Sequence, residues 1–393
     1  MIRKISNVAR DYAWGSTTLI PDYFGTEATG KPMAEIWFGT HPGSPTKVLS
    51  AATVDAADST LLQLREGKPL PFLLKLLAAG QPLSIQAHPN KEQALAGFER
   101  ENEAGIPLDA PERDYKDDHH KPEMIVALTP FVALVGFRPK VDLIVAMQRL
   151  TMQAQELDFQ ELEHALMAFI HSIRAKGVQS VFEALLSQRD GLGEVTEQLA
   201  ELAKLSRAID NIESANLALV PKLQELYPGD PGIIITQLMN LVTLQPNEAL
   251  ELPAGCVHAY VEGLGVEVMA NSDNVLRGGL TSKHINTEEL LAVVDFGASG
   301  EKVIQPKQIT TGLWEYPSEV EDYLVYRIDV SGSNLLADLQ LPNPAILLCT
   351  GGEVAIGDST EQREVLRKGE AAYLADANYY SFSGSGTAFL ATY

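Results

Sequence analysis

Gln86 and His88 stand two positions apart in the stretch LSIQAHPN (83–90), alternating with Leu83, Ile85 and Ala87. Two is the side-chain period of a strand, so Ser84, Gln86 and His88 share one face and the apolar residues take the other. Pro89 ends the strand. An amide and an imidazole on one face can both reach a single metal ion. Two further segments have the same character. DDHHKPEM (117–124) offers His119, His120 and Glu123, and PAGCVHAY (253–260) brings His258 into a strand after a Pro/Gly turn. Each alone also fits a bland role, as a hydrogen-bonded core histidine or a solvated loop. His88 and His258 both sit at strands in apolar company, and with one Glu and one Gln they supply two imidazoles, a carboxylate and an amide in a chain with only two cysteines. Structural zinc sites usually use Cys, so this set suits a catalytic zinc with open positions.

A fourth segment, GVEVMANSDNVLRGGLTSKH (265–284), packs Glu267, Asp273, Arg277 and Lys283 around a Gly- and Asn-bearing turn. It reads as a mixed-charge surface loop or as a pocket for an anion. The net charge of −22 bears on that choice. Phosphate neutralisation along a nucleic acid needs surplus Lys and Arg, so nucleic-acid binding is excluded as an expectation. A small phosphorylated ligand instead requires a few cations concentrated locally against the field of the whole protein. Arg277 and Lys283 can provide them. No Gly-rich nucleotide loop, nucleophile elbow or Cys/His signature is present.

The elements that must hold these groups show three textures. Residues 1–138 read as strands and turns, with MAEIWFGTHPGSP (33–45) and PFLLKLLAAGQPLSIQAHP (71–89) as apolar runs cut by Gly and Pro. Residues 100–122 read as a long polar loop. From 139 to 227 apolar residues recur at three and four, in VDLIVAMQRL, FQELEHALMAFIHSIRAKG, VTEQLAELAKLSRAI and ANLALVPKLQELYPGDPG, so a helical block is expected up to the Pro/Gly stop at 228–232. Strand texture then returns over 242–270 and again from 312.

The last two stretches superpose at an offset of 122 residues: Leu244 on Leu366, Glu248 on Glu370, Ala249 on Ala371, Leu252 on Leu374, His258 on Tyr380. Two small β-barrel or β-sandwich units of one type are expected, the second without the histidine. The chain of 393 residues lacks both an apolar run of membrane-spanning length and the apolar core of a signal peptide at its start. With so few cysteines, a cytoplasmic location and no membrane partner are expected.

The motifs QAHPNK (86–91), HKPEM (120–124), LPAGCVHAY (252–260) and MANSDNVLRGGLTSKH (269–284) resemble those of the type I mannose-6-phosphate isomerases, zinc enzymes of the cupin superfamily. YAWGS (12–16) and AEIWFGTHP (34–42) are similar to that family's N-terminal pattern. The resemblance implies a mainly β fold with an α-helical insertion. A discontinuous catalytic cupin of 1–138 and 228–311 would enclose a helical domain of 139–227 and precede a degenerate cupin of 312–393. It implies one zinc ion on Gln86, His88, Glu123 and His258, and exchange of mannose 6-phosphate and fructose 6-phosphate through an enediol.

On this resemblance Asp273 and His120 are the first proton carriers, with Lys121 and Glu267 as further candidates, and Arg277 steadies the enediolate. Ser84, Lys75 and Lys283 are phosphate contacts, and Trp14 and Glu35 line the cleft. The expected partner is a small sugar phosphate, and the expected state a monomer. A metal-free cupin-like binding or storage protein would need neither the ligands nor the cations. A cupin iron oxygenase would group its two His and Glu in one motif, whereas Glu123 lies 35 residues after His88.

Overall fold

The computed structural model describes residues 1–49, 59–187, 191–206, 215–297, 302–332, 336–375 and 378–393. Two antiparallel sheets carry the β structure, and helices pack against the first. One long strand organises each sheet. In the first, the C-terminal half of His258–Ala270 lies between Phe72–Ala79 and Glu123–Ala127. Its N-terminal half pairs with Phe131–Phe137 and Ile85–Ala87. In the second, Asn378–Thr392 pairs with Leu324–Val330, Ala345–Asp358 and Leu336–Leu341. A strand with two sets of neighbours folds its sheet over on itself, as the sandwich expectation requires. The enclosed interiors are apolar: Leu77, Ile125, Phe131 and Val135 in the first unit, Leu347, Val354, Phe382 and Leu390 in the second. A further core joins the two units, with Phe72, Leu76 and Val266 packed in one cluster with Val325, Ile346 and Phe389.

The internal repeat holds at the level of single atoms. Strands Ala249–Leu252 and Ala371–Leu374 keep the sequence offset. Asn247 and Gly369, which precede them in the turn, both have positive φ, at 74° and 92°. The carboxylates of Glu248 and Glu370 each accept a backbone N–H three residues back, from Gln245 and Arg367 at 2.8 Å. The chemistry does not repeat. His258 pairs with Gln86 in the first sheet, whereas Tyr380 pairs with Leu339 in the second. Leu252 pairs with Glu123, whereas Leu374 pairs with Ala345.

The helical texture is realised as Lys140–Glu156, Gln160–Lys176, Val178–Ser187, Gly193–Ser206 and Ala215–Leu226. Residues 207–209, the tail of the third helical stretch, lie outside the described residues. The stop at 228–232 is followed by one more helix, Gly232–Leu238, because Pro231 opens it rather than ending the block. The N-terminal part is also less purely β than its texture. Lys91–Glu103 is a helix that takes up the start of the expected 100–122 loop. Its capping box, Asn90 with Gln93, satisfies two end amides and contributes about 1 kcal/mol, adding to a composition rich in the helix formers Lys, Glu, Gln and Ala.

Two strands cross the expected unit boundaries. Ile2–Ser6 pairs with Ala371–Leu374 in the second sheet. Lys307–Thr310 pairs with Leu313–Tyr316 there too. Among the described residues, no helix is long and apolar enough to cross a membrane.

Candidate metal centre and cleft

The strand His258–Ala270 brings the site together. His258 stands opposite Gln86, Glu267 opposite Lys75, and Met269 opposite Glu123. His258 and Glu267 differ in parity, so a regular strand would send them to opposite faces. The pairing with Phe131–Phe137 slips between Tyr260 and Glu262, and this bulge turns the strand over. Gly263 completes the turnover at φ 132°, where a Cβ would lie 2.8 Å from Phe131 Cα. Tyr260 and Glu267 thereby face the same cleft.

Both histidines have a fixed tautomer. His88 Nδ1 lies 2.7 Å from the Asn274 carbonyl and His258 Nδ1 lies 3.0 Å from the Cys256 carbonyl. A carbonyl only accepts, so each Nδ1 donates, and in the neutral ring Nε2 keeps its lone pair. These Nε2 atoms turn to one carboxylate, at 3.4 Å from Glu123 Oε1 for His88 and 3.5 Å from Glu123 Oε2 for His258. The donor atoms of the three residues lie within 4.8 Å of one another, and the residues are 1–2% exposed. His88 Nε2 and Glu123 Oε2 make no hydrogen bond although buried.

Buried polar atoms without partners are costly, and a cation among them removes the cost. Burial, reinforced by Lys121, lowers the His88 pKa to about 4, so its ring is neutral at pH 7. Burial alone would raise Glu123, but Lys121 and the two histidines more than reverse that and hold it well below the usual carboxylate range. Neutral imidazoles and an ionised carboxylate are the protonation states a metal requires. The Gln86 amide nitrogen is 3.3 Å from His258 Nε2. Rotating the amide would present its oxygen to an ion held by the other three.

The centre lies at the floor of a cleft of about 540 Å³. Gln86 and Glu123 line it, with His88 and His258 directly behind. Trp14, Glu35, Lys75 and Ser84 form part of the wall, as do Lys121, Glu267, Asp273, Arg277 and Lys283. Lys121 Nζ is 2.9 Å from Glu123 Oε1. Lys75 Nζ is 2.8 Å from Glu267 and 3.7 Å from Glu35, whose other oxygen accepts from Trp37 Nε1. Burial opposes charge on Lys75, but Glu267 and Glu35 raise its pKa and keep it protonated.

Arg277 and Lys283 differ from these paired lysines. Neither side chain makes a hydrogen bond or ion pair with a described residue, and burial lowers the pKa of both. Arg277 is placed by pairing of its strand with Gln86. The loop that follows is clamped by Asp230, whose Oδ1 accepts the N–H groups of Leu280 and Gly232 at 2.9 and 2.7 Å.

His120 does not line the cleft. Its Nε2 lies 2.8 Å from Asp322 in the second unit. His119 is exposed beside Asp118. Sequence reading passed over His41, Trp37, Asp117 and Asn274. Asn274, fully buried, donates to the carbonyls of Asp117 and His119, and its own carbonyl orients His88. Asp117 accepts from Ser272 Oγ and from the Asp273 backbone N–H. Their only sequence signal was their place within motifs already quoted.

A family model described as Phosphomannose isomerase type I, catalytic domain, matches residues 2–140. Mannose-6-phosphate isomerase from Escherichia coli (strain K12) is 37% identical over 387 residues, spanning 95% of this chain and 95% of that protein. The Homo sapiens mannose-6-phosphate isomerase is 33% identical over 393 residues, spanning 92% of this chain and 90% of that protein. Among solved structures, a mutant phosphomannose isomerase from Salmonella typhimurium matches with a TM-score of 0.87 at 34% identity, covering 100% of this chain and 99% of that one. A zinc-bound holo mannose 6-phosphate isomerase matches with a TM-score of 0.85 at 35% identity and the same coverage.

Proposed function

The chain belongs to the type I mannose-6-phosphate isomerase family, and we propose the division of labour by which its cleft interconverts mannose 6-phosphate and fructose 6-phosphate. It is a zinc-dependent aldose–ketose isomerase. The observation that carries this reading is the convergence of His88, Glu123 and His258 on one point at the floor of a cleft with free cations on its wall. Gln86 completes the ligand set. Zinc held there supplies a Lewis acid for the sugar's oxygens.

Isomerisation removes the proton on C2, passes through an enediol, and returns a proton to C1. Asp273 carries that proton. Its carboxylate opens on the cleft, and although partial desolvation opposes it, the hydrogen bond from His41 together with the charges of Lys121 and Lys75 lowers its pKa. An ionised carboxylate can accept a proton from carbon and hand it back one atom along. Lys121 and Arg277 place positive charge where O1 and O2 become negative. Glu267, held by Lys75, shapes the wall between them. Lys75 is thereby committed to the two glutamates, leaving Lys283 and Ser84 for the phosphate. Trp14 offers a ring face to the sugar. His120, tied to Asp322, steadies the loop that delivers Lys121 and Glu123.

We read residues 1–138 with 228–311 as the metal-bearing unit, 139–227 as its helical insertion and 312–393 as a unit without a centre. One chain supplies the whole cleft, which fits a monomer working on a sugar phosphate in the cytoplasm. The test is elemental analysis with an assay of hexose-phosphate interconversion before and after EDTA. One zinc per chain and activity lost with it are expected, with solvent hydrogen entering at C1 or C2 during turnover. Full activity in a zinc-free preparation would overturn the reading.

A further inference from the structure

His41 lies in the turn after strand Glu35–Phe38, and its side chain is 7% exposed. Three contacts fix it. The ring stands edge-on to Trp37, with centroids 4.9 Å apart and planes at 86°. Its Nδ1 accepts the backbone N–H of Gly43 at 3.0 Å. The turn is so close that a Cβ at Gly43 would lie 3.1 Å from Nδ1, so the backbone is pressed against the imidazole. The third contact is Asp273, whose Oδ2 lies 3.2 Å from His41 Nε2. An Nδ1 that accepts carries no proton, so the ring proton sits on Nε2 and is donated to Asp273. The backbone on the other side of Asp273 is held as well, since its N–H donates to Asp117 Oδ2 at 2.8 Å. No described residue donates to Asp273 Oδ1.

We propose that His41 is a positioning residue for the isomerisation: it grips Oδ2 of Asp273 and leaves Oδ1 free to meet the sugar carbon. The arrangement follows the general logic of a proton carrier oriented by a third group, with the imidazole as the orienting member. Trp37 ties it to the rest of the cleft, because the same indole donates to Glu35 and lies under Lys75, 5.2 Å from its ring centroid. The charged or titratable groups facing the Asp273 carboxylate are His41 from the N-terminal turn, Lys121 from the loop before Glu123–Ala127, and Lys75 from Phe72–Ala79. Asp117 faces its backbone.

This inference rests on Asp273 as the proton carrier, so the experiment separates the two ideas. Three variants of the zinc-loaded enzyme are compared by kcat, KM, zinc content and pH–rate profile: Asp273→Asn, His41→Ala and His41→Gln. Asp273→Asn is expected to be nearly inactive. His41→Ala is expected to lose roughly ten- to a hundredfold in kcat, with zinc content and KM held, the scale typical of removing an orienting partner. Its acid limb should move to higher pH, because Asp273 loses the hydrogen bond that favours its ionised form. His41→Gln retains an N–H donor and should recover most of the kcat and the parental acid limb, which also separates positioning from misfolding. Parental kcat and pH profile in His41→Ala, beside an inactive Asp273→Asn, would overturn the role of His41 alone. An active Asp273→Asn would overturn the assignment of Asp273. Equal losses in His41→Gln and His41→Ala would show that the ring's bulk matters and its donor does not.

Discussion

His258 stands directly across an antiparallel pair from Gln86, in the first sheet only. In the second sheet the corresponding pair is Tyr380 and Leu339, and the Tyr380 hydroxyl donates to the Ala375 carbonyl at 2.7 Å. The same backbone device thus supports a candidate metal centre once and a tyrosine-sealed core once.

Restoring one imidazole should not restore a centre. Tyr380→His places a histidine opposite Leu339, with Ala345 where the first unit has Glu123. Elemental analysis of this variant is expected to find one zinc per chain, as in the parent. Its melting temperature should fall, because a buried hydroxyl contact is lost and a polar ring enters an apolar interior.

Truncating a ligand should remove metal and activity together. His88→Ala and His258→Ala each take a lone-pair donor from the three-residue cluster that would hold the ion. Orienting partners alone cost about 10–100-fold in metal affinity, and a ligand costs at least as much. Zinc retention after dialysis checks this. Gln86→Ala should weaken retention less, since the other three donors remain. Retention equal to the parent would remove Gln86 from the set.

Arg277→Ala should separate binding of zinc from turnover. The guanidinium touches no ligand, so zinc content should stay at the parental value. Loss of preorganised positive charge near the developing oxyanion is expected to cost about 10²–10³ in kcat, or about 3–4 kcal/mol. Single-turnover kinetics on the zinc-replete variant makes the measurement.

Gly97→Ala should unsettle the loop that carries Lys121 and Glu123. A Cβ there would come within 2.3 Å of the Tyr115 ring, whose hydroxyl is anchored on Glu289. Overpacking of this kind costs typically about 1–3 kcal/mol. The expected result is a lower denaturant midpoint with an unchanged m-value.

The candidate metal ligands drew notice because strand spacing puts Gln86 and His88 on one face and because His258 has no counterpart at Tyr380, but the full set with Glu123 came from the family resemblance. The cations were legible because an acidic chain must gather them somewhere. Other features left no such trace. The group that orients His88 is a backbone carbonyl of Asn274, which any residue would supply. His41 and Asp273 meet only through the folding of distant segments, and neither implies the other locally. The bulge at Tyr260–Glu262 breaks the parity on which strand reading depends, so Glu267 faces the cleft against its period. The helix Lys91–Glu103 carried a signal in Asn90 and Gln93, but its last residues, 100–103, were read with the polar, proline-bearing stretch that follows as one loop.

Ile2–Ser6 closes its ladder on Ala371–Leu374, near the other end of the chain. During synthesis these residues leave the ribosome long before that partner exists, with only Lys47–Val48 to pair with on the other edge. Ile2, buried in the finished protein among residues of the last β unit, stays exposed until then. The last β unit therefore cannot be trimmed away as an idle copy: its loss would expose a sticky amino-terminal edge.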